Sequence, residues 1–230
     1  MDTHAAPLIS ATALVSGYGG LDICGPLDLQ LRPGTALGIV GFNAAGKSTL
    51  LRTLVGYQEP VSGDVLILGA FTDDSSYLYR RAVSVVLDED AFFPSLSVQE
   101  HLDLVARGHG LEHAGELVER ELAFFDLEGA RTAYPHALSS GQRRRLLLAA
   151  ALIRPARLLV LDEPEQRLDP QMRAGLAARL RERVAAGATL LVVTHDPGFL
   201  AVVADHALVV ADGEITARTV DAAAAAIRES

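Results

Sequence analysis

The stretch "GFNAAGKSTLL", residues 41–51, fits the pattern G-x4-G-K-[ST], with Gly41, Gly46, Lys47 and Ser48 at the fixed positions. "ALGIVG" before it has strand character, and "KSTLLRTLVG", which overlaps its end, has helical character and stops at Gly56. A strand, a glycine loop and a helix in that order form an anion cradle. Successive backbone N–H groups and the helix N-terminus surround a β-phosphate with partial positive charge. The Lys47 ammonium supplies a point charge for the β- and γ-phosphates, and the Ser48 hydroxyl is a Mg2+ ligand. The nucleotide-contacting set read from this loop is Gly41, Phe42, Asn43, Ala44, Ala45, Gly46, Lys47, Ser48 and Thr49.

Lys47 is the only lysine in the chain; every other Lys/Arg position is arginine. A compact ammonium has therefore been kept where a planar guanidinium would not fit a cradle. Ala44 stands out for the opposite reason. If its backbone needs positive φ, alanine costs about 1–2 kcal/mol; if not, it costs little.

Length and composition bound the rest. A chain of 230 residues with half of them hydrophobic buries a real core. The net charge of -9 excludes a general nucleic-acid binder, and no nucleic-acid partner is expected. The densest basic run, Arg143-Arg144-Arg145, reads as an ordinary helix surface. The single cysteine, Cys24, cannot form an internal disulfide and reads as a small core or loop residue, which suits a reducing cytosol. "MDTHAAPLIS" carries no signal-peptide pattern, and the apolar run "LLLAAALI" is far shorter than a membrane span of about 18 residues. Any membrane role is expected through a partner.

Around the loop, "LISATALV", "LDLQL" and "GDVLILG" read as strands punctuated by "GYGG", "RPG" and "VSG". "RAVSVVL" is a buried-strand candidate. From Ser97 to Arg154 the pattern turns helical, opening with Ser97 three residues before Glu100, a capping-box signature. "RLLVLDEP", "ATLLVVTHD" and "HALVVADGEI" then read as strands, "PQMRAGLAARLRERVAAG" as a helix, and "DAAAAAIRES" as a short terminal helix. Near-continuous Val/Leu strands alternating with helices predict a parallel sheet covered on both faces. The predicted class is α/β, a P-loop NTPase core with an N-terminal antiparallel β subdomain and an inserted α-helical lobe. Residues 1–230 form one domain, with the core at about 1–87 and 155–230 and the lobe at about 88–154.

"LLVLDEP", residues 158–164, buries four apolar residues and delivers two acids where the strand emerges, the ligand-binding edge of such a sheet. Asp162 is suited to Mg2+. Glu163 is placed to polarise a water for in-line attack on a γ-phosphate. Paired acids at a strand end are often merely solvated; behind a phosphate loop they read as catalytic, with Lys47.

"LSSGQRRR", residues 138–145, completes a set that resembles the ATP-binding-cassette family, the ATPase subunits and domains of ABC transporters. The resemblance covers nearly the whole chain and rests on the order of the motifs. It implies that Ser139, Ser140, Gly141 and Gln142 form the signature, usually LSGGQ, with Ser139 and Gly141 touching ATP held by a second subunit. Ser140 stands where the family usually has glycine. Locally the segment reads as a serine helix cap with an exposed N-terminus. The resemblance also matches Tyr18 to the aromatic stacked on adenine, Asp169 in "LDP" to the dimer seam, and His195 in "VVTHD" to the switch histidine at the γ-phosphate. The remaining histidines read as surface or core residues. It aligns Asp88 with the glutamine that usually lends an oxygen to Mg2+; aspartate is shorter and charged, acting directly or through water, with Glu89 as the substitute.

The resemblance implies an ATP- and Mg2+-dependent ATPase. Two copies, or this chain and a paralogue, close head-to-tail on ATP to drive a separate integral-membrane permease docked near Asp88 to Val98, with Phe92 and Phe93 as apolar contacts. Its place would be cytoplasmic, peripheral on the inner face of the cell membrane. "GQRRRLLLAAAL" is closer to the family's stand-alone exporter subunits than to importers. An import ATPase, a soluble non-transport ABC ATPase and a nucleotide-gated interaction module with weak turnover are the other readings.

Overall fold

The structure is a computed structural model that describes residues 6–71, 74–87 and 91–228. Asp88 and Glu89 lie outside the described residues. In chain order the elements begin with β1 (Ile9–Tyr18), β2 (Leu21–Leu31), β3 (Ala36–Gly41), α1 (Lys47–Leu54), β4 (Ser62–Ile67) and β5 (Ala70–Phe71). Next come α2 (Tyr77–Ala82), β6 (Val83–Val86), α3 (Val98–Gly108), α4 (Ala114–Phe124) and α5 (Ser140–Leu152). The last part holds β7 (Leu158–Asp162), α6 (Pro170–Ala185), β8 (Thr189–Val193), α7 (Pro197–Val203), β9 (His206–Ala211), β10 (Glu214–Arg218) and α8 (Val220–Arg228).

β1, β2, β4 and β5 form an antiparallel sheet in the order β2-β1-β4-β5. The other sheet runs β10-β9-β3-β8-β7-β6. It is parallel from β9 to β6 and closed at one edge by antiparallel β10. β7 and β8 show why their sequences are apolar between their ends. Leu159, Leu161, Leu190 and Val192 enter the core beneath α3–α6, while Leu158, Val160, Leu191 and Val193 enter the core shared with α1 and the antiparallel sheet. The period of two persists, but both faces are covered, so polar residues stand only at strand ends, Thr189 opening β8 and Asp162 closing β7. This bears out the α/β class.

The Ser97–Glu100 capping box forms at the start of α3, as its spacing predicts. Two short helices escaped the sequence reading. The first, α2, occupies the start of "RAVSVVL", so that strand begins only at Val83. The second, α7, is set by Asp196, whose carboxylate caps Gly198 and Phe199 N–H. "HALVVADGEI" proved to be a hairpin, β9 and β10, around Asp212-Gly213.

Candidate functional site

β3 lies between β8 and β9, so the loop after it leaves the middle of the sheet. Gly41 (φ 152) has no room for a side chain, because a Cβ would stand 2.1 Å from Val210 O. Gly46 (φ 97) precedes α1, and a Cβ there would stand 2.5 Å from Ile23 Cγ2. The two fixed glycines are therefore required by close packing as well as by backbone shape. Ala44 also has positive φ, 64°, which resolves the question its presence posed: alanine carries the left-handed cost of about 1–2 kcal/mol here.

Lys47 is 6% exposed, and its Nζ donates to Phe42 O at 2.8 Å, across the base of its own loop. Burial pulls the ammonium pKa below its ordinary value, and the nearby charges of Glu163 and Asp162 oppose that fall. The loop lysine and the paired acids thus share one electrostatic environment. Ser48 is exposed at the start of α1, whereas Thr49 is buried and its hydroxyl donates to Tyr18 Oη at 3.4 Å. That contact ties down Tyr18, whose side of the antiparallel sheet meets α1, while leaving it 55% exposed.

Asp162 ends β7 and is buried; Glu163 follows with φ 47. Glu163 N donates to Val193 O at 2.9 Å, and its Oε1 lies 2.9 Å from His195 Nε2. Adjacent parallel strands, β7 and β8, bring these two side chains together from separate motifs. Left-handed backbone at a glutamate costs about 1–2 kcal/mol and turns its carboxylate toward His195 instead of continuing the strand.

Ser139 and Gln142 cap each other at the start of α5. Ser139 Oγ accepts from Gln142 N at 3.2 Å, and Ser139 N donates to Gln142 Oε1 at 2.9 Å. Ser140 is exposed, and Gly141 packs so that a Cβ would meet Arg167 O at 3.2 Å. Asp169 caps α6 by accepting from Met172 N at 2.9 Å. Phe93 is 54% exposed, but Phe92 is half-buried and packs against the main core, so the pair is not a uniform apolar face. His101, in ring contact with both, is a core histidine, one of the two placements expected of it.

Two functional candidates were missed by the sequence reading. Arg144 is not the helix surface its sequence suggests: it is 5% exposed. Its guanidinium donates to Asp162 O, to Glu163 O at 2.8 Å and to Leu87 O at 3.3 Å. The available signal was its helical spacing, three and four residues before buried Leu147 and Leu148. Glu165, also 5% exposed, accepts from Thr194 Oγ1 and from His195 N at 3.4 Å. Burial raises its carboxyl pKa, the hydrogen bonds from Thr194 and His195 oppose the rise, and the charge of Glu163 adds to it.

Ser48 and Asp162 offer hard oxygen donors, which suit Mg2+. Among the described residues no cluster of three His, Cys, Asp or Glu side chains would hold a metal alone. The donor set fits an ion that completes its shell with phosphate oxygens and water. Among the described residues, no helix is long and apolar enough to cross a membrane.

Residues 24–166 match the family model described as ABC transporter. Over 180 residues the chain is 40% identical to the Nod factor export ATP-binding protein I of Cupriavidus metallidurans, covering 77% of this chain and 59% of the relative. It is 31% identical over 205 residues to an Fe(3+) ions import ATP-binding protein of Haemophilus influenzae, covering 88% and 62%. The chain spans about three fifths of the length of the curated relatives it matches. A solved ATP binding subunit of an ABC transporter superposes with TM-score 0.84 at 27% identity, covering 94% of this chain and 91% of that one. A dimeric, post-hydrolysis ATP-binding cassette bound to ADP and Pi shares the fold, with TM-score 0.81, 22% identity and coverage of 92% and 98%.

Proposed function

Because the chain belongs to the ABC transporter family, we propose that it binds and hydrolyses ATP as the nucleotide-binding subunit of a transporter, most directly an exporter. The observation that carries this reading is the meeting of Lys47, at the start of α1, with Asp162, Glu163 and His195 at the ends of β7 and β8. Loop N–H groups and Lys47 hold the β- and γ-phosphates and neutralise their charge. Ser48 and Asp162 would hold Mg2+, which would offset phosphate charge. Glu163 orients a water toward the γ-phosphorus and takes its proton as the new P–O bond forms. The bond to the bridging oxygen breaks, and ADP leaves with the electron pair. His195 holds the Glu163 carboxylate in line. Tyr18 stacks on the base.

A second copy or a paralogue closes head-to-tail, its Ser139–Gln142 segment covering ATP on this chain's loop and its Asp169 lying at the seam. A membrane permease docks near Asp88 to Val98, with exposed Phe93 as the apolar contact, which places the subunit on the inner face of the membrane. Export is favoured by the 40% identity to a Nod factor export protein; import is the second reading, favoured by the match to an Fe(3+) import protein over 88% of the chain.

Purification of the tagged protein from native membranes in mild detergent, followed by phosphate-release assay, tests both parts. An accompanying integral-membrane permease and Mg2+-dependent phosphate release are expected. Recovery only with soluble proteins would overturn the transporter assignment, and ATP binding without phosphate release would leave a switch instead of an ATPase. Uptake and efflux assays of the recovered complex in vesicles separate export from import.

A further inference from the structure

The run Arg143-Arg144-Arg145 sends its three guanidinium groups in different directions. Arg143 donates to Leu138 O at 3.0 Å, and Arg145 to Phe125 O at 3.1 Å and Asp126 Oδ2 at 2.7 Å. Those partners belong to the helical lobe. Arg144 instead crosses to the parallel sheet, where its acceptors include the carbonyls of Leu87, Asp162 and Glu163.

These carbonyls mark two neighbouring strand ends. Leu87 directly follows β6, while Asp162 ends β7 and Glu163 follows it. One buried cation therefore fixes the edge from which both acidic side chains project. Charge-assisted bonds in a desolvated setting are short and directional, and a planar fork holds several acceptors in one geometry. Glu163 has left-handed backbone, so its carboxylate direction depends on what holds its peptide. Val193 O holds the peptide N–H on one side, and Arg144 holds the carbonyl on the other.

At its other end Arg144 belongs to α5. The first turn of α5 is locked by the Ser139–Gln142 capping box, and Gly141 is packed on the backbone of Arg167. A displacement of that turn is thus passed along one helix to the Glu163 carbonyl. We propose that Arg144 is a positioning residue that couples the two nucleotide sites of a dimer. The α5 N-terminus serves ATP held by the other subunit, and Glu163 serves the chain's own ATP, so Arg144 joins the two sites inside each chain. This inference rests on the head-to-tail arrangement proposed above.

The test compares wild type, Arg144→Gln, Arg144→Lys and Arg145→Gln in steady-state MgATP hydrolysis and in binding of a fluorescent ATP analogue. For Arg144→Gln, kcat is expected to fall at least about tenfold with analogue affinity within about twofold, the signature of lost positioning. The Hill coefficient is expected to fall from near 2 to near 1, because two coupled sites become independent. Arg144→Lys restores part of kcat, and Arg145→Gln leaves the Hill coefficient at the wild-type value. If Arg144→Gln does not fold by circular dichroism, the Lys variant carries the measurement, with an intermediate Hill coefficient expected. A wild-type coefficient near 1, unchanged cooperativity in both Arg144 variants, or an equal loss in Arg145→Gln overturns the inference while leaving the ATPase reading in place. A wild-type protein that neither binds nor hydrolyses ATP removes both.

Discussion

His195 Nε2 stands 2.9 Å from Glu163 Oε1, although the two residues leave different strands. This approach supports the role proposed for the histidine, that of steadying the carboxylate, and separates it from the role proposed for Glu163. Glu163→Gln is expected to lower kcat by about 10²–10⁴-fold, the usual worth of a general base, with ATP binding retained. His195→Ala is expected to lower kcat less, with KM little changed. Single-turnover phosphate release alongside equilibrium binding distinguishes these outcomes from a loss of binding.

Lys47 donates to Phe42 O and occupies a largely buried site. Removing a charged hydrogen-bond donor costs about 1.5–3 kcal/mol, so Lys47→Ala is expected to weaken ATP binding by roughly tenfold to a hundredfold. Lys47→Arg is expected to fail as a rescue, because the guanidinium plane does not fit the space of the ammonium. Titration with a fluorescent ATP analogue measures both.

Ala44 is exposed and left-handed. Glycine there relieves about 1–2 kcal/mol of backbone strain and loses about 0.5–1 kcal/mol in chain entropy. Ala44→Gly is therefore expected to stabilise the fold by roughly 0.5–1 kcal/mol, read as a higher denaturant midpoint at unchanged slope.

Glu165 supplies a pH dependence. Its pKa is raised by burial, so the folded chain holds a proton there that the unfolded chain releases. That contribution to stability is fully present below the ordinary carboxylate pKa and is lost as pH rises through the raised one. Thr194, the His195 N–H and the Glu163 carboxylate are the groups that set the window. Glu165→Gln removes the titration, so its melting temperature relative to wild type is expected to climb as pH rises above the ordinary carboxylate range. A constant difference over that rise would exclude the effect.

What the sequence made legible was local. Gly41, Gly46 and Lys47 are held by spacing within one loop, and the caps at Ser97 and Ser139 need only three residues to form. The strand ends at Asp162 and near His195 followed from unbroken apolar runs. Arg144 and Glu165 escaped because their burial is decided by strands and turns distant in the chain. The φ of Glu163 escaped for the same reason. Nothing in "LLVLDEP" forces it, and the bonds to Val193 and Arg144 do. The short helices α2 and α7 offered too few residues for a periodic signal.

The position of β3 has a bearing on how the protein comes into being. Its two neighbours, β8 and β9, are contributed by residues 189–193 and 206–211, far downstream of the loop that follows β3. Pairings this distant in the chain form late and slowly. During synthesis the phosphate loop emerges early, but the strand that leads into it has no parallel neighbour until those strands arrive. A nascent or truncated chain that stops before residue 189 is expected to carry every letter of the loop and to hold nucleotide poorly. Nucleotide capture thus becomes a certificate of near-complete folding.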